Sequence, residues 1–151
     1  MRSTVVDARR APRLFVDTWG WLVLANDQHP AFEHVARARA AACGRKGAWV
    51  TTDYVVDETI TRLFTLAPFA AARRFTQGLF EASRQGLLDI EHVTPGRFRD
   101  AWRLRVRFHD KPRISFTDLT SFVVMRELDL RHVITANANF EQARMGFVRI
   151  P

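Results

Sequence analysis

RLFVDT, residues 13–18, decides the fold. Leu14, Phe15 and Val16 form an unbroken apolar run that ends in Asp17 and Thr18. A strand with one wet face alternates apolar and polar residues. A continuous run bounded by polar residues is instead the mark of a strand covered on both faces, as in a parallel sheet between helices. Three more segments read as strands downstream: AWVTT (48–52), LLDIEHV (87–93) and HVITAN (132–137), with FVRI (147–150) as a last short strand.

Between these runs the apolar period changes to that of helices. Pro30 opens a helix through about Cys43, with Ala31, Val35, Ala38 and Ala42 on one face, and Gly44 and Gly47 stop it. Asp53 is placed to cap a helix reaching Leu66, with Val56, Ile60, Leu63 and Phe64 turned inward. Pro68 breaks the chain before FAAARRFTQGLFEASRQ, whose buried stripe is Phe75, Leu79 and Ala82. Thr94 and Pro95 supply a cap and a first-turn proline for a helix to about His109. Another helix runs from about Thr117 to Leu128, and FEQAR forms a helical turn. Strands alternating with helices predict a three-layer α/β/α fold with a central parallel sheet of four or five strands. The chain divides into a basic lead-in over residues 1–12 and a single domain over residues 13–151.

The 151 residues carry 23 Lys plus Arg against 16 Asp plus Glu, a formal net charge of +7. Such a field attracts polyanions, nucleic acid first among them. One cysteine, Cys43, excludes an intrachain disulfide, and among alanines it reads as a small apolar side chain. The opening MRSTVVDARRAP holds no apolar run of signal-peptide length, and no segment approaches the ~18 apolar residues of a membrane span. The expectation is a cytoplasmic protein without a membrane partner. The five histidines lack HExxH spacing and a neighbouring Cys pair, which excludes the common zinc motifs. GRKG (44–47) lacks the surroundings of a phosphate loop.

Ligands of open parallel sheets bind beyond the carboxyl ends of the strands. Asp17 and Asn137 end two of the runs. Glu58 stands one turn into the helix VVDETITRL, with Asp57 beside it and Arg62 at i+4, where a surface ion pair would be the plain reading. Asp57 and Glu58 point about 100° apart, so they cannot serve one ion equally. Asp118 lies in a helix first turn after Ser115 and Thr117, where an acid is favoured by the helix dipole alone.

Taken together, these segments resemble the PIN-domain family. FVDTWGWL is similar to its opening motif, TTDYVVDETITRL to its second with Glu58 at the acidic position, ISFTDLTSFVVMRELDL to its third with Asp118, and HVITANANFEQARMGFVRI to its closing segment. The resemblance spans Leu14 to Ile150, and SFTD with TTDYVVDET is its most distinctive part. It implies a metal-dependent nuclease, and specifically a VapC-like toxin ribonuclease of a type II toxin–antitoxin pair. Asp17 and Asp118 are then ligands of Mg²⁺ or Mn²⁺, with Glu58 a ligand or the group that orients the attacking water. Hard oxygen donors suit such ions, and phosphodiester hydrolysis then needs no side-chain nucleophile. The family usually carries Asp or Asn where this chain has Asn137. Asp is the common choice, so the neutral amide predicts a weaker fourth ligand and a single ion, or weak occupancy of a second site. Thr18 and Asn139 would assist by hydrogen bonding.

Trp19 departs from the small residue many members have there, and with Trp21 it is expected to line the crevice. Arg99, Arg103 and Arg107 share a helix face at i+4 spacing and form a candidate RNA-tracking strip beside the site. A cognate antitoxin and a homodimer complete the expected partners. Two rival readings carry different tests: a catalytically weakened RNA-binding module, and a protein whose acids merely cap helices.

Overall fold

The computed structural model describes residues 13–42 and 46–151. The lead-in over residues 1–12 and the expected helix end at Cys43 and Gly44 lie outside the described residues. Five strands form one sheet: β1 (Leu14–Val16), β2 (Trp49–Thr52), β3 (Leu88–Glu91), β4 (His132–Ile134) and β5 (Val148–Ile150). Every neighbouring pair is parallel, in the order β3-β2-β1-β4-β5. The flanking helices are α1 (Thr18–Leu24), α2 (Phe32–Ala42), α3 (Asp53–Leu66), α4 (Phe69–Arg84), α5 (Pro95–Arg107), α6 (Phe116–Glu127) and α7 (Asn139–Gln142).

β1 lies at the centre, and the apolar run is there for that reason. Phe15 and Val16 are wholly buried between β2 and β4. The chain moves outward from β1 through β2 to β3, then returns to the other side of β1 with β4 and continues to β5. The reversal falls between β1 and β4, so their carboxyl ends splay the connections apart and leave a crevice. α6 supports it from beneath: Leu119 and Phe122 to Met125 are all buried, and Phe122 packs edge-on against Phe140 of α7, with ring centroids 4.9 Å apart.

Local chemistry sets the ends of the helices. Thr94 Oγ1 accepts the Arg97 amide at 3.2 Å and Pro95 begins α5, as expected. α3 is capped by Thr52, whose Oγ1 accepts the Val55 amide at 3.1 Å, and not by Asp53. Asp53 turns its carboxylate to the amides of Tyr54 and Val93 instead. Phe64 is 40% exposed, so the inward face of α3 is narrower than its apolar residues suggest. Arg97 grips Glu91 at the end of β3 and Glu127 at the end of α6, at 2.8 and 2.7 Å, tying the edge strand to the helix pair. The segment after Asp17, given no helix from the sequence, forms α1. No helix among the described residues is long and apolar enough to cross a membrane.

Candidate functional site

The end of β1 delivers Asp17 into the crevice with only 6% of its surface exposed. Thr135, one residue past β4, donates its hydroxyl to Asp17 Oδ2 at 2.8 Å, and the same hydroxyl oxygen accepts the Asn137 amide at 3.0 Å. Thr135 therefore fixes the two strand ends against each other. It carries no charge, and its sequence signals are its place at the strand end and in the closing segment HVITANANFEQARMGFVRI.

Asp118 arrives from α6. Its amide donates to Ser115 Oγ at 3.0 Å, and its own Oδ2 accepts the Ser115 amide at 3.2 Å, a reciprocal capping box. The same Oδ2 accepts the side-chain amides of Asn137 and Asn139, both at 3.1 Å. Asp118 thus caps its helix, as the plain reading has it, and lines the crevice with the same carboxylate. Asn137 differs from the expected fourth ligand. Its Nδ2 is given to Asp118 and its Oδ1 accepts the Asn139 amide at 3.0 Å, so it braces a carboxylate. Asn139 reaches the same carboxylate through its Nδ2.

Glu58 projects from α3 toward the same place. Asp17, Glu58, Asp118 and Asn137 all line one cleft of about 410 Å³, together with Thr18, Trp19, Arg62, Arg113, Ser115 and Asn139. Asp57 is exposed and lines no part of it. Thr18 Oγ1 is buried without a hydrogen-bond partner. Burial pushes the Asp17 carboxyl up to about 6; the Thr135 bond opposes this, and the charges of Asp118 and Glu58 add to it. The acids therefore act on one another electrostatically. Among the described residues, no three His, Cys, Asp or Glu side chains are grouped tightly enough to hold an ion unaided.

The aromatic and basic residues divide differently from expectation. Trp19 lines the cleft, its ring edge-on to His29 at 5.8 Å between centroids. Trp21 does not: it is buried, donates Nε1 to Thr51 Oγ1 at 3.3 Å and stacks at a tilt on Trp49. Arg99, Arg103 and Arg107 are exposed on α5, and none lines the cleft. Arg103 pairs with Asp100 at 2.7 Å, and the Arg107 guanidinium lies 5.4 Å from the Phe108 ring centroid. The cleft's own cations are Arg62 and Arg113. Arg62 and Glu58 both line the cleft, yet they form no ion pair with each other.

No family model matches the chain. It is 31% identical over 142 residues to the 23S rRNA-specific endonuclease VapC20 of Mycobacterium tuberculosis, in strains H37Rv and CDC 1551, covering 91% of this chain and 97% of the relative. The chain belongs to the VapC family. As a VapC protein it is a PIN-domain toxin ribonuclease, as the four motifs implied. The crystal structure of Mycobacterium tuberculosis VapC20, a sarcin-ricin loop cleaving toxin, has a TM-score of 0.73 with it, covering 89% of this chain and 96% of that one. Two more distant structures share the fold. FitAcB from Neisseria gonorrhoeae matches at 16% identity with a TM-score of 0.64, covering 91% of this chain and 96% of that one. PAE2754 from Pyrobaculum aerophilum matches at 13% with 0.60, covering 91% and 89%.

Proposed function

We propose that this VapC ribonuclease cuts RNA at the cleft between β1 and β4 with the help of Mg²⁺ or Mn²⁺, and that its target is a loop of ribosomal RNA. The observation that supports the reading is the meeting of Asp17, Glu58, Asp118 and Asn137, from four separate elements, at the point where the strand order reverses. The substrate class comes from the relative's specificity for 23S rRNA and its cleavage of the sarcin-ricin loop.

The donor set fits a hard cation. Every candidate ligand offers oxygen, and a buried carboxyl displaced to about 6 gains most from a positive neighbour. Mg²⁺ commonly keeps several waters and takes only one or two carboxylates, so a site that does not enclose the ion unaided suits it. Asp17 and Asp118 would hold the ion, and Glu58 would join them or orient the attacking water. When bound, such an ion neutralises charge at the scissile phosphate and makes water a better nucleophile near neutral pH. Thr135 holds Asp17 in place, and Asn137 with Asn139 does the same for Asp118. With one carboxylate fewer than the common pattern, the site takes one ion tightly; two tight ions by calorimetry would overturn that count.

The deciding experiment is cleavage of total RNA with Mn²⁺, with Mg²⁺ and with EDTA. Fragments are expected with either metal and none with the chelator. Undiminished cutting in EDTA overturns the metal reading.

The expected partners belong to the same proposal. A cognate antitoxin would place an Arg or Lys against the carboxylates, where negative charge is concentrated. On α5, Phe98, Trp102 and Val106 repeat at i+4 and remain 47%, 59% and 55% exposed, an apolar stripe suited to a homodimer, with the Arg99, Arg103 and Arg107 strip beside it for RNA. Sedimentation velocity is expected to show twice the 17.4 kDa chain mass, reverting to a monomer on Trp102→Glu. A monomeric parent protein rules the dimer out.

A further inference from the structure

The geometry points to Arg62 and Arg113 as a two-armed clamp for the RNA backbone, each holding a phosphate that flanks the bond cut at the carboxylates. The inference rests on the reading of this cleft as the cutting site, and it adds how the polyanion is held there.

Several arginines outside the cleft are committed. Arg97 serves Glu91 and Glu127, Arg103 serves Asp100, and Arg149 bonds Glu141. Arg62 and Arg113 stand beside three acids in one cleft, yet neither guanidinium forms an ion pair or a hydrogen bond among the described residues. Cations placed to neutralise those acids would bridge them. These two leave their donors open toward the cleft, in the planar array that matches a phosphate's oxygens two at a time.

Both are carried on firm supports. Arg62 stands one turn beyond Glu58 within α3. Arg113 sits on the loop before α6, and Arg105 pins that loop from below. Its guanidinium donates to the carbonyls of Phe108 and Ile114, both at 2.5 Å, and of Lys111 at 2.8 Å. Asn139 donates to the Arg113 carbonyl itself at 3.2 Å, so the residue that braces Asp118 also sets the position of this arm. The two arms reach the cleft from different elements, so a strand crossing the carboxylates meets both. An RNA backbone needs such compensation, because its charges otherwise approach Asp17, Glu58 and Asp118 against repulsion.

The test measures binding of a short fluorescein-labelled RNA hairpin by anisotropy, in EDTA, to protein carrying Asp17→Asn so that nothing is cut. Adding Arg62→Ala or Arg113→Ala is expected to weaken binding about tenfold each. The pair should flatten the slope of log Kd against log salt by about 1.4 to 1.8, the release from two phosphates. The Lys versions should restore the slope but only part of the affinity. Arg126→Ala with Arg131→Ala removes the same charge outside the cleft and serves as the control. In otherwise unaltered protein with metal, the clamp variants should raise KM about tenfold or more while kcat stays within a few-fold. Equal losses in the clamp pair and the control pair overturn the clamp and leave the cutting site standing. Continued cleavage by Asp17→Asn alone overturns the cutting site itself.

Discussion

Asp17→Asn is expected to abolish RNA cleavage and, in the same protein freed of metal, to remove a penalty on folding that grows between pH 4 and pH 6. The two effects share one cause. Asp17 sits 6% exposed at the end of the central strand, with its carboxyl moved from 3.8 to about 6 by burial and by the nearby acids. The folded state therefore holds the proton more tightly than the unfolded chain does. For an acid raised in this way, the favourable contribution is full below the unfolded value of 3.8 and disappears as pH climbs through about 6. A displacement of that size corresponds to about 3 kcal/mol. The Asn variant has no proton to lose, and its side-chain oxygen still accepts the Thr135 hydroxyl. Chemical denaturation from pH 4 to 7.5 should show the unaltered protein losing about 2–3 kcal/mol relative to the variant. A constant difference across that range would show that the buried charge costs nothing. Divalent cation should then separate the proteins in the opposite sense. An ion that binds only the folded form at a hundred times its Kd adds about 2.7 kcal/mol, and the variant should gain little of it. Cleavage should fall by at least about a thousandfold, the scale on which losing one well-placed electrostatic group is felt in catalysis.

How much the chain discloses in advance depends on which signals are local. A strand buried on both faces announces itself in its own residues, so LFV, AWVTT and HVIT locate the sheet, and the alternation with helices implies its parallel sense. Ser115 and Asp118 lie three residues apart, so the capping box of α6 is visible as a pattern. The acids stand out because each sits at a strand end or on a helix first or second turn. What decides their company is not local. Thr135 touches Asp17 across 118 positions of chain, and no spacing rule covers that distance. The i+4 rule pairs Arg62 with Glu58, but it states only that two side chains share a face, not that a cleft lies over it. Asn137 has an oxygen to offer an ion, whereas the fold turns its amide nitrogen to Asp118. For Arg99, Arg103 and Arg107, periodicity identifies an exposed face of α5, but whether that face lines the cleft depends on how the helix packs, and it does not. Trp21 follows Asp17 nearly as closely as Trp19 does, and a helix turns it inward. That helix, α1, escapes the pattern because TWGWLVL is apolar nearly all round, its N-cap makes no side-chain bond, and it carries a glycine in its middle.

That glycine supports the last and most discriminating prediction: Gly20→Ala should destabilise the protein, although glycine to alanine inside a helix ordinarily stabilises. The helical preference alone favours Ala by about 0.8–1 kcal/mol. At position 20, however, a Cβ would stand 2.9 Å from Ile134 Cγ2, 2.9 Å from Val16 Cγ1 and 3.0 Å from the Ile134 carbonyl oxygen. Val16 and Ile134 are wholly buried residues of the two central strands. The methyl groups have little room to move, and the carbonyl is fixed because it accepts the Asp17 amide at 3.2 Å. Relief must come from lifting α1 off the sheet. Overpacking of this kind costs typically about 1–3 kcal/mol, which exceeds the helical gain, and Gly20→Val should cost more. At Gly78, within α4, a Cβ would meet nothing within 4 Å, so Gly78→Ala should be stabilising by about 0.5–1 kcal/mol. The two substitutions are the same in chemistry and in secondary structure, and opposite signs in one denaturation experiment isolate the close approach as the cause. Equal signs would refute it. The consequence for function follows from the chain itself. Asp17 and Thr18 lie at the start of α1, so a helix lifted by a fraction of an ångström carries the carboxylate away from Thr135 and Asp118. Displacements near 1 Å cost catalysts about a hundredfold. Gly20→Ala is therefore expected to lose cleavage at temperatures where it remains folded, with no change in any residue that touches the RNA.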